Sequence, residues 1–211
     1  TQDIAEGEEV FLDERIICIR LEPKFEAKSY IPSALINAMS SGSSKIVGGR
    51  KYTVYGDERE LSAKLYFVRT TDSGINQLKA TLQNGDRDNV EQWQQQIRSI
   101  HTINLLKPDE KIMGFADDWQ AGTVEFVLHP LPSSTEDEIS AFFIHSGINA
   151  DNARIKTYDD GITFISASCT SENVQRVKEY NPLRAVHPMG SISVTPMRNV
   201  AGSLCPSVHP S

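Results

Sequence analysis

Apolar residues along this chain fall in short runs separated by turn residues, and the runs come in the same order twice. Arg15-Ile16-Ile17-Cys18-Ile19-Arg20-Leu21 is a β-branched run that ends at Pro23 and predicts a strand. Residues Ala27 to Met39 form a weaker helical segment, with Pro32 in or near its first turn, where a missing N–H is tolerated. Gly42 and its serines break it. Lys45 to Tyr55 reads as a second strand, and Gly48-Gly49 inside it suggests a bulge or sharp bend. Leu65-Tyr66-Phe67-Val68-Arg69 predicts a third. Asp72 or Ser73 is placed to cap the next helix, which runs to Asn84 and stops at Gly85. A second helical stretch, Asp88 to Ile100, leads into a fourth strand at His101-Thr102-Ile103-Asn104-Leu105.

After Pro108 and Gly114 the pattern restarts. Thr123 to Leu128 predicts a strand ending at His129-Pro130. Ser134 or Thr135 caps a helix through Phe142 and Phe143, with Gly147 as its stop, and the Thr135–Glu138 spacing fits a capping box. Arg154 to Tyr158 and Ile162 to Ser166 flank Asp159-Asp160-Gly161, a hairpin signal because glycine supplies positive φ. Thr170 or Ser171 caps a helix to Tyr180, and Leu183 to His187 closes the set. Both halves therefore spell β-α-β-β-α-β, the ferredoxin-like order, with an extra helix in the first. The expected fold is α+β: two tandem ferredoxin-like modules with antiparallel sheets. The expected organisation is a disordered acidic N-terminus over 1–10, a first module over 11–106, a linker over 107–121, a second module over 122–189 and an extended tail over 190–211. Short echoes support the repeat: Ile19 to Pro23 parallels Phe126 to Pro130, and Phe67 to Thr71 parallels Phe164 to Ser168.

Composition narrows the function. The chain has 211 residues, 39% hydrophobic and 23% charged, enough for two small cores. A formal charge of −7 disfavours a non-specific nucleic-acid partner, which needs a basic face. Cys18, Cys169 and Cys205 lack a spacing pattern, so reduced thiols in a cytoplasmic protein are expected, with Cys18 and Cys169 as small buried hydrophobes. No stretch reaches the ~18 apolar residues of a membrane span. The start, Thr1-Gln2-Asp3-Ile4-Ala5-Glu6-Gly7-Glu8-Glu9, is acidic rather than signal-like, and without a Met it points to a processed or shortened chain.

Candidate chemistry is sparse. His101, His129, His145, His187 and His209 are scattered, so neither a metal site nor a cofactor is expected. No phosphate-cradling glycine motif occurs; Gly48-Gly49-Arg50-Lys51 lacks the flanking residues of one and reads as a strand bend. Asp72-Ser73-Gly74 matches the tripeptide around a subtilase catalytic aspartate, yet a helix cap explains it, and no His-Gly-x-His or Gly-Thr-Ser-x-Ala segment accompanies it. His145-Ser146-Gly147 reads as a helix C-terminus. Lys24, Lys28, Glu22 and Glu26 read as solvated charges. Trp93, set among Gln92, Gln94, Gln95 and Gln96, is expected to face a core. Asp117-Asp118-Trp119 could serve a partner or a cation, with a polar linker anchored by one aromatic as the simpler alternative.

Several phrases in order resemble a known family. They are Leu21-Glu22-Pro23-Lys24-Phe25 with Ala27-Lys28-Ser29-Tyr30, Val47 to Tyr52, Phe67-Val68-Arg69, Leu105 to Ile112, Val127-Leu128-His129-Pro130, and Asn181 to Pro188. Together they resemble the region preceding the protease domain in bacterial, intracellular subtilisin-like serine peptidases, some of which are encoded beside an AAA-type ATPase. The likeness runs from about Phe11 to Pro188, and no catalytic triad follows it in this chain. The resemblance implies a non-catalytic prodomain that inhibits a subtilisin-like catalytic domain, in cis or in trans, or templates its folding. Leu183, Arg184, Ala185, Val186, His187 and Pro188 would then contact the protease, ahead of a tail laid along its cleft. The alternative is an adaptor that brings substrates or the ATPase to the peptidase, with Asp117, Asp118 and Trp119 as the docking residues. A third reading, a small-molecule-binding tandem, needs a pocket between the modules, and the sequence displays no polar cluster to line one.

Overall fold

The computed structural model describes residues 14–25, 33, 44–55, 60–84, 90–130 and 135–190. The helix expected over 27–39, the acidic N-terminus, Ser134, Cys205 and the tail beyond Gly190 lie outside the described residues.

The first module contains β1 (Glu14–Leu21), β2 (Lys45–Tyr55), β3 (Glu60–Thr71), α1 (Asp72–Asn84), α2 (Val90–Arg98) and β4 (Ile100–Asn104). Its sheet is antiparallel in the order β2-β3-β1-β4. The second contains β5 (Ala121–Leu128), α3 (Thr135–Ser146), β6 (Ala153–Thr157), β7 (Thr163–Thr170), α4 (Ser171–Val177) and β8 (Leu183–Pro188), with the antiparallel order β6-β7-β5-β8. In each sheet the first and third strands of the module lie side by side at the centre and its second and fourth strands lie outside. That is the ferredoxin-like arrangement, present twice.

Local chemistry accounts for most boundaries. The register of β2 on β3 slips between Ile46 and Gly48, the bulge expected at the glycine pair. Gly48 has φ +148°, and a Cβ on Gly49 would lie 2.9 Å from the Leu65 carbonyl oxygen, so neither position accepts a side chain without movement. β3 begins at Glu60 rather than Leu65, because β2 pairs with it as far as Tyr55. The cap of α1 is Thr71, one residue before the expected Asp72 or Ser73: the Gly74 N–H donates to Thr71 Oγ1 at 3.2 Å. Thr170 caps α4, with Asn173 N–H donating to its Oγ1 and Thr170 N–H donating back to Asn173 Oδ1 at 3.0 Å. At the β6–β7 hairpin, Gly161 has φ +86° and donates to the Tyr158 carbonyl at 2.8 Å.

The helical face of the first sheet carries Ile17, Ile19, Leu21 and Val68, packed on Leu78 of α1 and Trp93 of α2. Trp93 is buried, as its helical setting predicts. The second core is larger. Val124, Phe126, Leu128, Ile165, Leu183 and Val186 meet Phe142 of α3 and Val174 and Val177 of α4. Phe126 and Phe142 pack edge to face with centroids 5.1 Å apart. Each fully buried side chain of this size contributes roughly 1.5–3 kcal/mol.

The other face of the first sheet is also buried. Ile16, Cys18, Leu65 and Phe67 form a second apolar cluster there with Leu106. The residues between the modules help to cover it and do more than space them. Pro108–Glu110 is a 3-10 turn, and Ile112 forms a parallel bridge to Val186. The Val186 N–H donates to the Lys111 carbonyl and the Met113 N–H donates to the Val186 carbonyl, so the outer edge of β8 is paired.

Candidate functional site

The seam between the modules gathers the least ordinary chemistry of the molecule. Alternation along the strands sends Arg20 of β1, Arg50 of β2 and Phe67 and Arg69 of β3 to the same, non-helical face. Facing them are Glu110 and Lys111 of the connecting segment, His129 just after β5, Glu138 of α3, and Asn181 and Arg184 around the start of β8. Arg184 sits where the register of β8 on β5 slips, which frees it from the regular alternation.

Three contacts fasten the seam. The Ile16 N–H donates to Asn181 Oδ1 at 2.8 Å, and Asn181 Nδ2 donates to the Ile16 carbonyl at 3.0 Å. β4 pairs with β1 only from Cys18 onward, so the Asn181 amide takes the place of a strand partner where β4 ends. Arg20 Nη2 donates to Glu110 Oε2 at 2.7 Å, a charge-assisted bond with an arginine only 7% exposed. Arg69 lies 3.4 Å from Glu14 and 3.9 Å from Glu138, with Glu138 3% exposed.

Burial dominates the electrostatics. Glu138 is pushed up to about 7, first by desolvation and further by Glu14, against the pull of Arg69. Lys111 is lowered to about 8 by burial, with its ammonium donating to the Tyr180 carbonyl at 2.8 Å. The Cys18 thiol is raised to about 11 by burial, which disfavours the nucleophilic thiolate. His129 is held well below its ordinary value by burial, then by Arg184, Lys111, Arg69 and Arg50. It is fully buried, and neither ring nitrogen has a hydrogen-bond partner among the described residues. Its ring packs on Phe67 with centroids 4.4 Å apart.

The residues singled out from sequence are dispersed. Leu183 and Val186 are in the second core, Ala185 is buried, and His187 and Pro188 are half-buried on β8. Arg184 points to the first module, with its guanidinium 5.2 Å from the Phe67 ring centre. Asp117 and Asp118 are exposed. Trp119 packs on the second core and meets Phe115 edge to face at 4.8 Å, which is the anchoring role. Asp72 pairs with Arg15 at 3.1 Å in the first turn of α1. Glu138, expected in a capping box, turns its carboxylate toward Arg69. Among the described residues, no three His, Cys, Asp or Glu side chains are grouped to hold a metal ion, and no helix is long and apolar enough to cross a membrane. An open groove of about 390 Å³ beside α2 is lined by Lys24, Phe25, Glu91, Gln94, Gln95 and Arg98.

The seam itself went unread in the sequence. Arg20, Arg69, Lys111 and Glu138 look like surface charges there, and the polar cluster between the modules becomes visible only in three dimensions. The one local hint was Arg20, a charge inside an otherwise apolar strand.

No family model matches the chain, and no curated protein matches it. Among solved structures, one similar chain is assigned as a glycine cleavage system transcriptional repressor. It shares 14% identity and a TM-score of 0.25, over 74% of this chain and 80% of that one, a likeness too slight to transfer any property.

Proposed function

We propose that the chain is a non-catalytic, prodomain-like unit that docks a subtilisin-like peptidase domain on the β6 side of the non-helical sheet face of its second module, restraining the peptidase and assisting its folding. The supporting observation is the unequal use of two equivalent faces. In the first module the sheet face opposite the helices is occupied by the seam. In the second, the same face carries Glu125 and Val127 of β5, paired across with Ser166 and Phe164 of β7 and with His187 and Ala185 of β8; Val127 and Ala185 are buried and the other four half-buried. Arg154 and Lys156 of β6 complete it and are exposed. Phe164 meets the exposed Tyr158 edge to face at 5.5 Å, with Lys156 4.7 Å above the Tyr158 ring. An aromatic pair edged by a cation suits an interface anchor.

This refines the contact segment. β8 is paired on both edges, so Leu183 to Pro188 offers no free edge at Val186 for strand addition. Of β8, only the half-buried His187 reaches the surface of that face, Ala185 being buried, and strand addition falls to chain beyond it. The test mixes the chain with its cognate subtilisin-like catalytic domain and reads both peptidase activity and refolding yield. Inhibition at micromolar concentration is expected, lost in Phe164→Glu and retained in Ile144→Glu, a change at an exposed site on α3. Absence of any effect on activity and refolding would sink the reading. The adaptor alternative draws on the exposure of Asp117 and Asp118; capture of the partner ATPase, abolished by D117K/D118K, would favour it.

A further inference from the structure

We propose that the seam between the modules is a binding site for a phosphate-type dianion, held by Arg50 and Arg184 above the Phe67 ring. Four observations lead there. The first is pairing. Arg20 has Glu110, and Arg69 has Glu14 and Glu138, but Arg50 and Arg184 contact no carboxylate among the described residues. Arg50 Nη1 donates to the Glu110 carbonyl at 3.1 Å, and Arg184 Nη2 has one long bond, 3.4 Å, to the Gly49 carbonyl. Two partly desolvated guanidiniums whose hydrogen bonds go to backbone carbonyls, with Glu110 and Asp160 acting on them from beyond contact, are costly, and a shared dianion offsets that cost.

The second is convergence. The two guanidinium carbons lie 5.9 Å and 5.2 Å from the centre of one ring, that of Phe67, although they come from different modules. The third is access: both arginines are half-buried, so their free N–H groups reach solvent at the seam. The fourth is His129, wholly buried on the same Phe67 ring with both nitrogens unbonded. A neutral imidazole retains one N–H without an acceptor, which an anion oxygen reaches only once the side chains around the buried ring shift. Burial and the field of Arg50 also lower Arg184, with Asp160 acting only at longer range. An anion between the arginines relieves that repulsion. Guanidinium forks match phosphate oxygens in pairs, and two of them match a double negative charge better than a single carboxylate.

The site joins one arginine from each module, so occupancy ties the modules together. It is independent of docking on the second sheet. The test is thermal unfolding of the full chain in inorganic phosphate against sodium chloride of equal ionic strength, with isothermal titration of phosphate, pyrophosphate and acetate. Phosphate or pyrophosphate is expected to raise Tm by roughly 5–10 °C at about 100 times Kd. Arg184→Gln and Arg50→Gln are expected to weaken binding roughly 10- to 100-fold, and Arg184→Lys less. Far-UV circular dichroism checks that each variant is folded; should the glutamine variants unfold, the Arg184→Lys and Arg50→Lys pair carries the comparison. Preference for pyrophosphate over phosphate identifies a diphosphate-bearing ligand, and equal binding identifies a single phosphate group. Stabilisation no greater than in chloride, equal binding by the arginine variants, or tighter binding of acetate overturns the proposal.

Discussion

Glu138 shows how position changes the chemistry of a single side chain. On sequence it belongs to the first turn of a helix; in the fold it is desolvated beside Arg69 and Glu14. Its carboxyl is raised to about 7 from an ordinary 4.5, so the folded chain holds a proton between those values that the unfolded chain has released. Unfolding therefore loses protons in that window, and Glu138 removes stability as pH rises through it, by up to about 3 kcal/mol. His129 works in the opposite sense, because its depressed value makes the folded state disfavour protonation at low pH. The Glu138→Gln variant isolates the first effect. Relative to it, the unmodified chain is expected to lose stability between about pH 5 and pH 7, read from urea midpoints. A constant difference across that range would show that Glu138 is not desolvated.

At the scale of elements, the caps and turns carry testable weight. Asn173 completes the capping box of α4 and also donates from Nδ2 to the Ser146 carbonyl at 3.0 Å, tying the start of α4 to the end of α3. Thr170 serves α4 alone. Thr170→Ala is expected to cost about 1 kcal/mol, and Asn173→Ala more than that, since it also leaves a helix carbonyl unpaired. In a chain of this size each kcal/mol lowers Tm by roughly 2–4 °C, measurable by calorimetry. Equal losses from the two substitutions would mean that the Ser146 bond contributes nothing. These elements were readable before folding because their signals are local. The hairpin at Asp159-Asp160-Gly161, the bulge at Gly48-Gly49 and the cap at Thr170 each depend on a few neighbouring residues. Where expectation and structure part, as at Thr71 or the start of β3, the deciding partner is a neighbouring turn or a strand beyond the local window.

For the whole molecule, the seam decides which surfaces exist. Asn181 holds Ile16 across 165 positions of sequence, and the thiol of Cys18 lies beneath the same interface. Asn181→Ala removes two hydrogen bonds and leaves a strand edge unpaired, a loss of about 1–2 kcal/mol. Local opening of the seam is then expected to rise about tenfold, and with it the rate at which a thiol reagent modifies Cys18. The measurement suits a chain carrying Cys205→Ser, with Cys169 in the second core as internal control. An unchanged Cys18 rate would show that Asn181 does not hold the modules together.

The sequence by itself determined the α+β class, the repeated strand pattern and most of the described element boundaries. Hydrophobic periodicity, glycine φ and capping residues act over a few positions and need no tertiary context. Tertiary structure alone decided that the first sheet is buried on both faces, that the segment between the modules pairs with β8, and that Arg20, Arg50, Arg69, Lys111, His129, Glu138 and Arg184 meet. Those contacts join residues far apart in the chain, and a charge reads as solvated until the fold removes its water. The same packing treats the two equivalent sheet faces unequally, burying that of the first module and leaving the β6 side of the second exposed.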